Sequence, residues 1–169
     1  MRVAIIADTH DNLATLDKFL GFIKENPVDA VIHCGDIASG ETVGRLANKF
    51  AGKIFICFGN MDYRDSVEAE IKKYPEQIRL FENFGHAEFD NLKIGFCHHK
   101  EIALEYCRRN KYDFVFYGHT HKPWIDDIDG CQLANPGTLA GMFYGATFAI
   151  LDTKTKKLEL KIIGRLRPA

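Results

Sequence analysis

An α/β fold is the class that the sequence predicts, because buried strands and amphipathic helices alternate along most of its length. Aliphatic runs at 3–7, 30–34 and 54–58 are typical of strands that are covered on both faces. Between them, apolar side chains recur at helical spacing, first over 13–23 and again over 43–50. This alternation predicts a mostly parallel sheet.

The later part of the chain adds shorter elements. The pattern predicts a short helix over 66–73, brief antiparallel strands within 78–96, a helix over 101–109, a buried strand at 114–117, and paired strands at 125–128 with 131–134 and at 146–151 with 158–163. Asp129-Gly130 is a strong signal for a hairpin turn.

Composition limits the classes of function. The chain has 169 residues, of which 46% are hydrophobic and 27% charged, so we expect one globular domain over residues 1–169. A formal net charge of -1 gives no electrostatic reason to expect stable binding to nucleic acid or to an anionic membrane.

The predicted compartment is the cytoplasm. The apolar run at the N-terminus is too short for a signal peptide and ends in Asp8, and no stretch has the length of a membrane span. The five cysteines form no C-x-x-C pair, so we predict neither a disulfide framework nor a zinc ribbon.

Polar side chains follow five of the predicted strands at the point where each strand ends. Because right-handed crossovers place the carboxyl ends of parallel strands at one edge of a sheet, we expect these side chains to meet there. They are Asp8, His10, Asp36, Asn60, His98, His119 and His121.

Such a set predicts a metal centre. Seven ligands exceed what one tetrahedral zinc uses and suit two ions that share a bridging carboxylate. A set of nitrogen and oxygen donors favours Mn²⁺, Fe²⁺, Zn²⁺, Co²⁺ or Ni²⁺. We expect Cys34 and Cys97 to point into the core.

Other interpretations of single residues remain open. Asp8 and Asn60 are also residue types that cap helices or form turns after strands. His33 and His86 are interpreted as structural, and His99 is predicted to face away from the site because side chains alternate along an extended segment.

The motifs D-T-H at 8–10, G-D at 35–36, G-N-M-D at 59–62, C-H-H at 97–99 and G-H-T-H at 118–121 resemble, in order and spacing, those of the calcineurin-like metallophosphoesterases. The small size and the N-P-G turn at 135–137 are similar to the small prokaryotic (YfcE-like) phosphodiesterases of that family.

The resemblance implies a four-layer α/β/β/α sandwich of two mixed sheets flanked by helices. It also implies one metal held by Asp8, His10, Asp36 and His121, and a second held by Asp36, Asn60, His98 and His119. The expected catalytic residues are Asp36, Asn60 and His98, around a hydroxide that bridges two divalent ions. Mn²⁺ is the first expectation among the metals named above. Attack by that hydroxide predicts inversion at phosphorus.

Met61 departs from the family pattern, because many members carry a histidine there, to which protonation of the leaving group or stabilisation of the transition state is attributed. A thioether cannot donate a proton. We therefore expect better activity on activated aryl phosphodiesters or cyclic nucleotides than on alkyl monoesters. A second departure is His99, where the family often has glycine.

The predicted function is a metal-dependent phosphodiesterase that acts on a small or nucleotide phosphodiester. The alternatives are a phosphomonoesterase or phosphatase of the same fold, and a non-catalytic protein-binding scaffold. Exposed strand edges within 124–169 could support a homodimer. Pocket residues that set specificity are expected around Tyr63, Arg64, Phe143 and Tyr144.

Overall fold

The computed structural model of the protein describes residues 1–109 and 111–166. Within them the strands are β1 (Arg2–Ile6), β2 (Ala30–His33), β3 (Lys53–Cys57), β4 (Ile78–Phe81), β5 (Phe84–Phe89), β6 (Leu92–Cys97), β7 (Phe114–Phe116), β8 (Trp124–Ile128), β9 (Cys131–Asn135), β10 (Thr147–Asp152) and β11 (Lys157–Ile162). The helices are α1 (Leu13–Glu25), α2 (Gly40–Lys49), α3 (Arg64–Ile71) and α4 (Lys100–Arg108), and a 3₁₀ turn follows at Ile163–Arg165.

The strands form two mixed sheets. The first has six strands in the order β11-β10-β1-β2-β3-β4, in which β1 to β4 and the edge strand β11 run in the same direction and β10 is antiparallel to its two neighbours. The second has five strands in the order β5-β6-β7-β9-β8, with β6, β7 and β9 parallel and the two edge strands antiparallel. Both sheets therefore have a parallel centre whose strand ends can carry a site.

Alternation along the strands builds the layers. In β1, Ile5 belongs to the core between the two sheets, whereas Ile6 belongs to a second core against α1 and α2. Both side chains are fully buried. The remaining layer is α4, whose Ala103 and Cys107 pack on the second sheet. The predicted four-layer α/β/β/α sandwich is confirmed.

The prediction of antiparallel strands throughout 78–96 is wrong for β4. This strand pairs in parallel with β3 as the edge of the first sheet, and only β5 and β6 form an antiparallel hairpin. A short apolar run shows that a strand is present but does not show which strand it pairs with, because its partner lies elsewhere in the sequence.

Two features concern the predicted compartment. Cys107 in α4 and Cys131 in β9 form a disulfide with 5.5 Å between their Cα atoms, which the cysteine spacing did not indicate. The packing of α4 on β9 brings the two cysteines together. The expected lack of disulfides therefore no longer supports a cytoplasmic location, which stays a prediction. In the described ranges, no helix is both long and apolar enough to cross a membrane.

Candidate metal centre

The loops that follow β1, β2, β3, β6 and β7 converge on one cleft where the two sheets meet, and they bring all seven predicted residues there. Two clusters have all their ligand atoms within 4.8 Å of one another. Cluster 1 consists of Asp8, His10 and His121, and cluster 2 consists of Asp36, His98 and His119. Asn60 adjoins cluster 2, with its Oδ1 atom 3.0 Å from Nε2 of His98.

Asp36 lies between the two clusters. Its Oδ2 atom is 3.2 Å from Nε2 of His98 and 3.8 Å from Nε2 of His10. Its Oδ1 atom accepts a hydrogen bond of 2.8 Å from the backbone N–H of Met61, which fixes the carboxylate plane. One carboxylate thus faces both clusters, as a bridging ligand must.

Lone pairs converge in cluster 2. Nδ1 of His98 donates to the carbonyl of Cys34 at 2.9 Å, so a neutral imidazole carries its free lone pair on Nε2. That atom faces two further acceptors, Oδ2 of Asp36 and Oδ1 of Asn60. Three acceptors that point at one another repel unless a cation or a proton lies among them.

Cluster 1 shows the same fit to a cation through unsatisfied atoms. Nε2 of His121 lies 3.3 Å from Oδ1 of Asp8 and 3.3 Å from Nε2 of His10. Among the described residues, the buried Oδ2 atom of Asp8 and Nδ1 of His121 have no hydrogen-bond partner. Buried polar atoms without partners are rare, and a metal ion is one group that would satisfy the carboxylate.

The charges of the cleft shift three pKa values. Burial alone would lower the pKa of His98, but the hydrogen bond between His98 and Asp36 raises this pKa above its ordinary value. The hydrogen bond to Asp8 raises the pKa of His121. For Asp36 burial opposes ionisation, yet His98 holds the pKa below its ordinary value. Metal binding requires neutral imidazoles, so a cation would compete with these protons.

The backbone of the site is strained. Positive φ angles occur at five of the seven predicted ligands: Asp8, His10, Asp36, His119 and His121. Each such residue costs on the order of 1–3 kcal/mol and persists where the surroundings force it. At Gly59 the approach is so close that an added Cβ would lie 2.2 Å from Oδ1 of Asp36. The loops therefore hold their side chains in geometries that free chains avoid.

Asn135 supports the site, and the sequence interpretation missed it. Its buried amide donates to the carbonyl of Gly118 at 2.8 Å and to Oγ1 of Thr120 at 3.0 Å, on either side of His119. Its Oδ1 atom accepts from Gly137 N–H at 2.8 Å, which forms the N-P-G turn. The motif was visible as a turn, but its contact with the G-H-T-H loop depends on the pairing of β9 with β7.

Three other histidines were predicted to lie outside the site. His33 is buried, and its Nε2 atom lies 2.7 Å from Oγ1 of Thr9. Desolvation lowers the pKa of His33 to about 3. His86 is exposed in β5. For His99 the prediction is wrong, since its ring lies 5.0 Å from that of His98 and 4.7 Å from that of His119, centroid to centroid. The regular strand β6 ends at Cys97 and His99 is the N-cap of α4, so the alternation of β6 does not fix the direction of its side chain.

The two clusters form the floor of an open cleft of about 600 Å³. Its walls include Met61, Met142, Phe143 and Tyr144. The predicted pocket residues Phe143 and Tyr144 therefore line it. Arg64 is directed elsewhere, since its guanidinium pairs with Glu82 at 2.5 Å.

Comparison with known proteins agrees with this geometry. Residues 1–156 match the calcineurin-like phosphoesterase superfamily domain. The chain is 32% identical to a phosphodiesterase from Methanocaldococcus jannaschii, over 93% of this chain and 96% of the relative. The solved structure of an archaeal phosphodiesterase superposes with a TM-score of 0.86 at 31% identity, covering 96% of this chain and 99% of the other. The phosphoesterase Yfce from E. coli shares the fold, with a TM-score of 0.66 at 16% identity. This superposition covers 96% of this chain and 100% of the other. The chain belongs to the calcineurin-like phosphoesterase superfamily.

Proposed function

We propose that the protein is a metal-dependent phosphodiesterase that hydrolyses small or nucleotide phosphodiesters. Asp36 carries the proposal, because its Oδ2 atom lies 3.2 Å from His98 in one cluster and 3.8 Å from His10 in the other. Two histidine-rich clusters that share a carboxylate are a donor arrangement suited to two divalent cations. The similarity to archaeal phosphodiesterases supports the same class of reaction.

Two divalent cations are the proposed cofactors. Mn²⁺ is the first choice, and Ni²⁺, Fe²⁺, Co²⁺ and Zn²⁺ are alternatives that the donor set also accepts. When bound, such a pair supplies an activated water and neutralises charge on the phosphate oxygens. We assign one cation to Asp8, His10, Asp36 and His121, and the other to Asp36, Asn60, His98 and His119.

The chain's own residues orient this chemistry. Asp36 is held by Met61 N–H, and the carbonyl of Cys34 fixes the ring of His98, so the donor atoms that face the substrate are oriented in advance. The thiols of Cys34 and Cys97 are buried, and burial raises their pKa values, so they do not serve as nucleophiles. Direct displacement by water then inverts the configuration at phosphorus.

Met61 limits the leaving groups that suit the site. Its side chain is exposed in the cleft and offers no proton. A poor leaving group gains about 10² to 10⁴ in rate from general acid catalysis, whereas an aryl oxide with a low pKa gains little. Activated aryl diesters should therefore outperform alkyl monoesters.

One assay series tests the proposal. The purified protein is treated with a chelator and assayed on bis(4-nitrophenyl) phosphate and on 4-nitrophenyl phosphate, before and after Mn²⁺ is added back. We expect Mn²⁺ to restore turnover, with the diester preferred. Preference for the monoester would favour a phosphomonoesterase, and the absence of metal-dependent turnover of either ester would favour a non-catalytic scaffold.

A further inference from the structure

Exposed apolar side chains gather around the cleft. Met61, Met142, Phe143 and Tyr144 line it, and each exposes at least 43% of its surface. Phe143 is the extreme case at 86%. Large apolar groups that stay in contact with water around a polar floor are typical of a binding surface for an apolar part of a ligand.

Phe143 occupies a strained turn. The N–H of Tyr144 donates to the carbonyl of Met142 at 2.8 Å, and φ of Phe143 is 63°, which together define a classic γ-turn. This turn is rare, and a bulky residue at positive φ is unfavourable. A segment that holds a phenyl ring out in water at such a cost suggests a functional use for the ring.

The loop that carries Phe143 is fixed to the site. At its base, the N–H of Ala140 donates to the carbonyl of Asp8 at 3.0 Å, and the Asn12 side chain donates to the Ala140 carbonyl at 2.8 Å. The Phe143 ring lies 5.6 Å from the ring of His121, centroid to centroid. The phenyl ring is therefore a wall beside cluster 1.

No lysine or arginine lines this cleft within the ranges that the structure describes. The lining is completed by His10, Asp36, Asn60, His119, Thr120 and His121. Beyond the cluster floor, a substrate consequently contacts thioether and aromatic groups. This surface suits an uncharged flat substituent better than a second phosphate or a carboxylate, which would favour cationic partners.

The geometry of displacement says which substituent reaches Phe143. In an in-line reaction, water activated at the cluster floor would expel the leaving group on the opposite side, toward the mouth of the cleft. The substituent that stays on phosphorus is equatorial and therefore points at the walls. We infer that Phe143 stacks on this retained substituent and selects diesters in which it is an aryl group or a nucleoside, an inference that rests on the proposed function.

Two diesters with the same leaving group test the inference. Methyl 4-nitrophenyl phosphate and phenyl 4-nitrophenyl phosphate differ only in the retained substituent, and kcat/KM is measured for both with Mn²⁺. We expect Phe143→Leu to lower the phenyl-to-methyl ratio about tenfold, the scale of one aromatic stack. The ratio should be kept by Phe143→Trp and by the control Trp124→Leu, which changes an exposed aromatic residue on β8 outside the cleft.

Binding gives a second readout. The chain contains one tryptophan, so a protein with Phe143→Trp and Trp124→Leu reports from the γ-turn alone. Diphenyl phosphate should change its fluorescence at concentrations where dimethyl phosphate does not.

The outcomes separate the two proposals. An unchanged phenyl-to-methyl ratio of kcat/KM in Phe143→Leu overturns the stacking role alone. Equal fluorescence responses to diphenyl phosphate and dimethyl phosphate do the same. Failure of the wild-type protein to hydrolyse either diester with Mn²⁺ overturns the proposed function, and the stacking role with it.

Discussion

The two clusters of the candidate metal centre differ in how far hydrogen bonds from the protein orient their side chains. In cluster 2, Nδ1 of His98 and the Oδ1 atom of Asp36 each have a backbone hydrogen-bond partner. In cluster 1, a carboxylate oxygen of Asp8 and a ring nitrogen of His121 are buried without one. Cluster 2 is thus oriented by hydrogen bonds, whereas cluster 1 depends more on a cation for its stability.

The largest expected effect comes from the residue that the clusters share. Asp36→Asn removes the charge that faces both, and we expect kcat/KM for bis(4-nitrophenyl) phosphate to fall about 10³-fold or more, together with metal content. Kinetics and elemental analysis measure both quantities. Asp17→Asn, a control on α1 whose partners are Arg45 and Lys49, should stay close to wild type. Full activity and metal content in Asp36→Asn would exclude a bridging role.

A thermal shift tests whether cluster 1 depends on a cation for its stability. Saturating Mn²⁺ should raise Tm of the wild-type protein by several degrees, since a ligand at 100 times its Kd adds about 2.7 kcal/mol. In Asp8→Asn we expect most of this gain to disappear, because a neutral amide replaces the buried carboxylate. The chelated variant should be as stable as the chelated wild type or more so, since a buried charge has been removed. Equal Mn²⁺-induced shifts of Tm in Asp8→Asn and the wild-type protein would show that the Asp8 carboxylate does not make cluster 1 depend on a cation.

Asn135 should affect both clusters, since it holds the loop between His119 and His121. Asn135→Ala leaves the carbonyl of Gly118 and the N–H of Gly137 without their partner. We expect a 10- to 100-fold loss of metal affinity or activity, the range found for residues behind metal ligands. Isothermal titration with Mn²⁺ measures this, and Asn48→Ala on the exposed face of α2 is the matched control. Loss of stability without any change in metal affinity would make Asn135 merely structural.

The smallest expected effect concerns His33, which contacts Thr9 behind cluster 1. Burial lowers its pKa from 6.5 to about 3, so the unfolded chain binds a proton below pH 6.5 that the folded chain does not. Stability is therefore lost as the pH falls, by about 2 kcal/mol between pH 7 and pH 5. Urea titrations should show a weaker pH dependence for His33→Gln. The same slope in both proteins would contradict the low pKa.

Much of the fold follows from local patterns. The strands at 3–7, 30–34 and 54–58 and the hairpin at Asp129-Gly130 agree with the structure to within a residue or two, because burial on both faces and turn chemistry act locally. The partner of β4 and the Cys107–Cys131 pair were not predictable in this way. Both depend on contacts between distant segments.

The candidate metal ligands could be named from the sequence, because acids, an amide and imidazoles follow strands whose carboxyl ends meet at one edge of a sheet. The family resemblance implied how these residues divide, and the folded chain places Asp36 between the clusters, His119 in one and His121 in the other. Tertiary structure alone decided that His99 contacts the site, that Asn135 supports it and that Phe143 forms a wall. The physical reason is that residue type and strand position are local properties, whereas distances between loops depend on how two separate sheets pack.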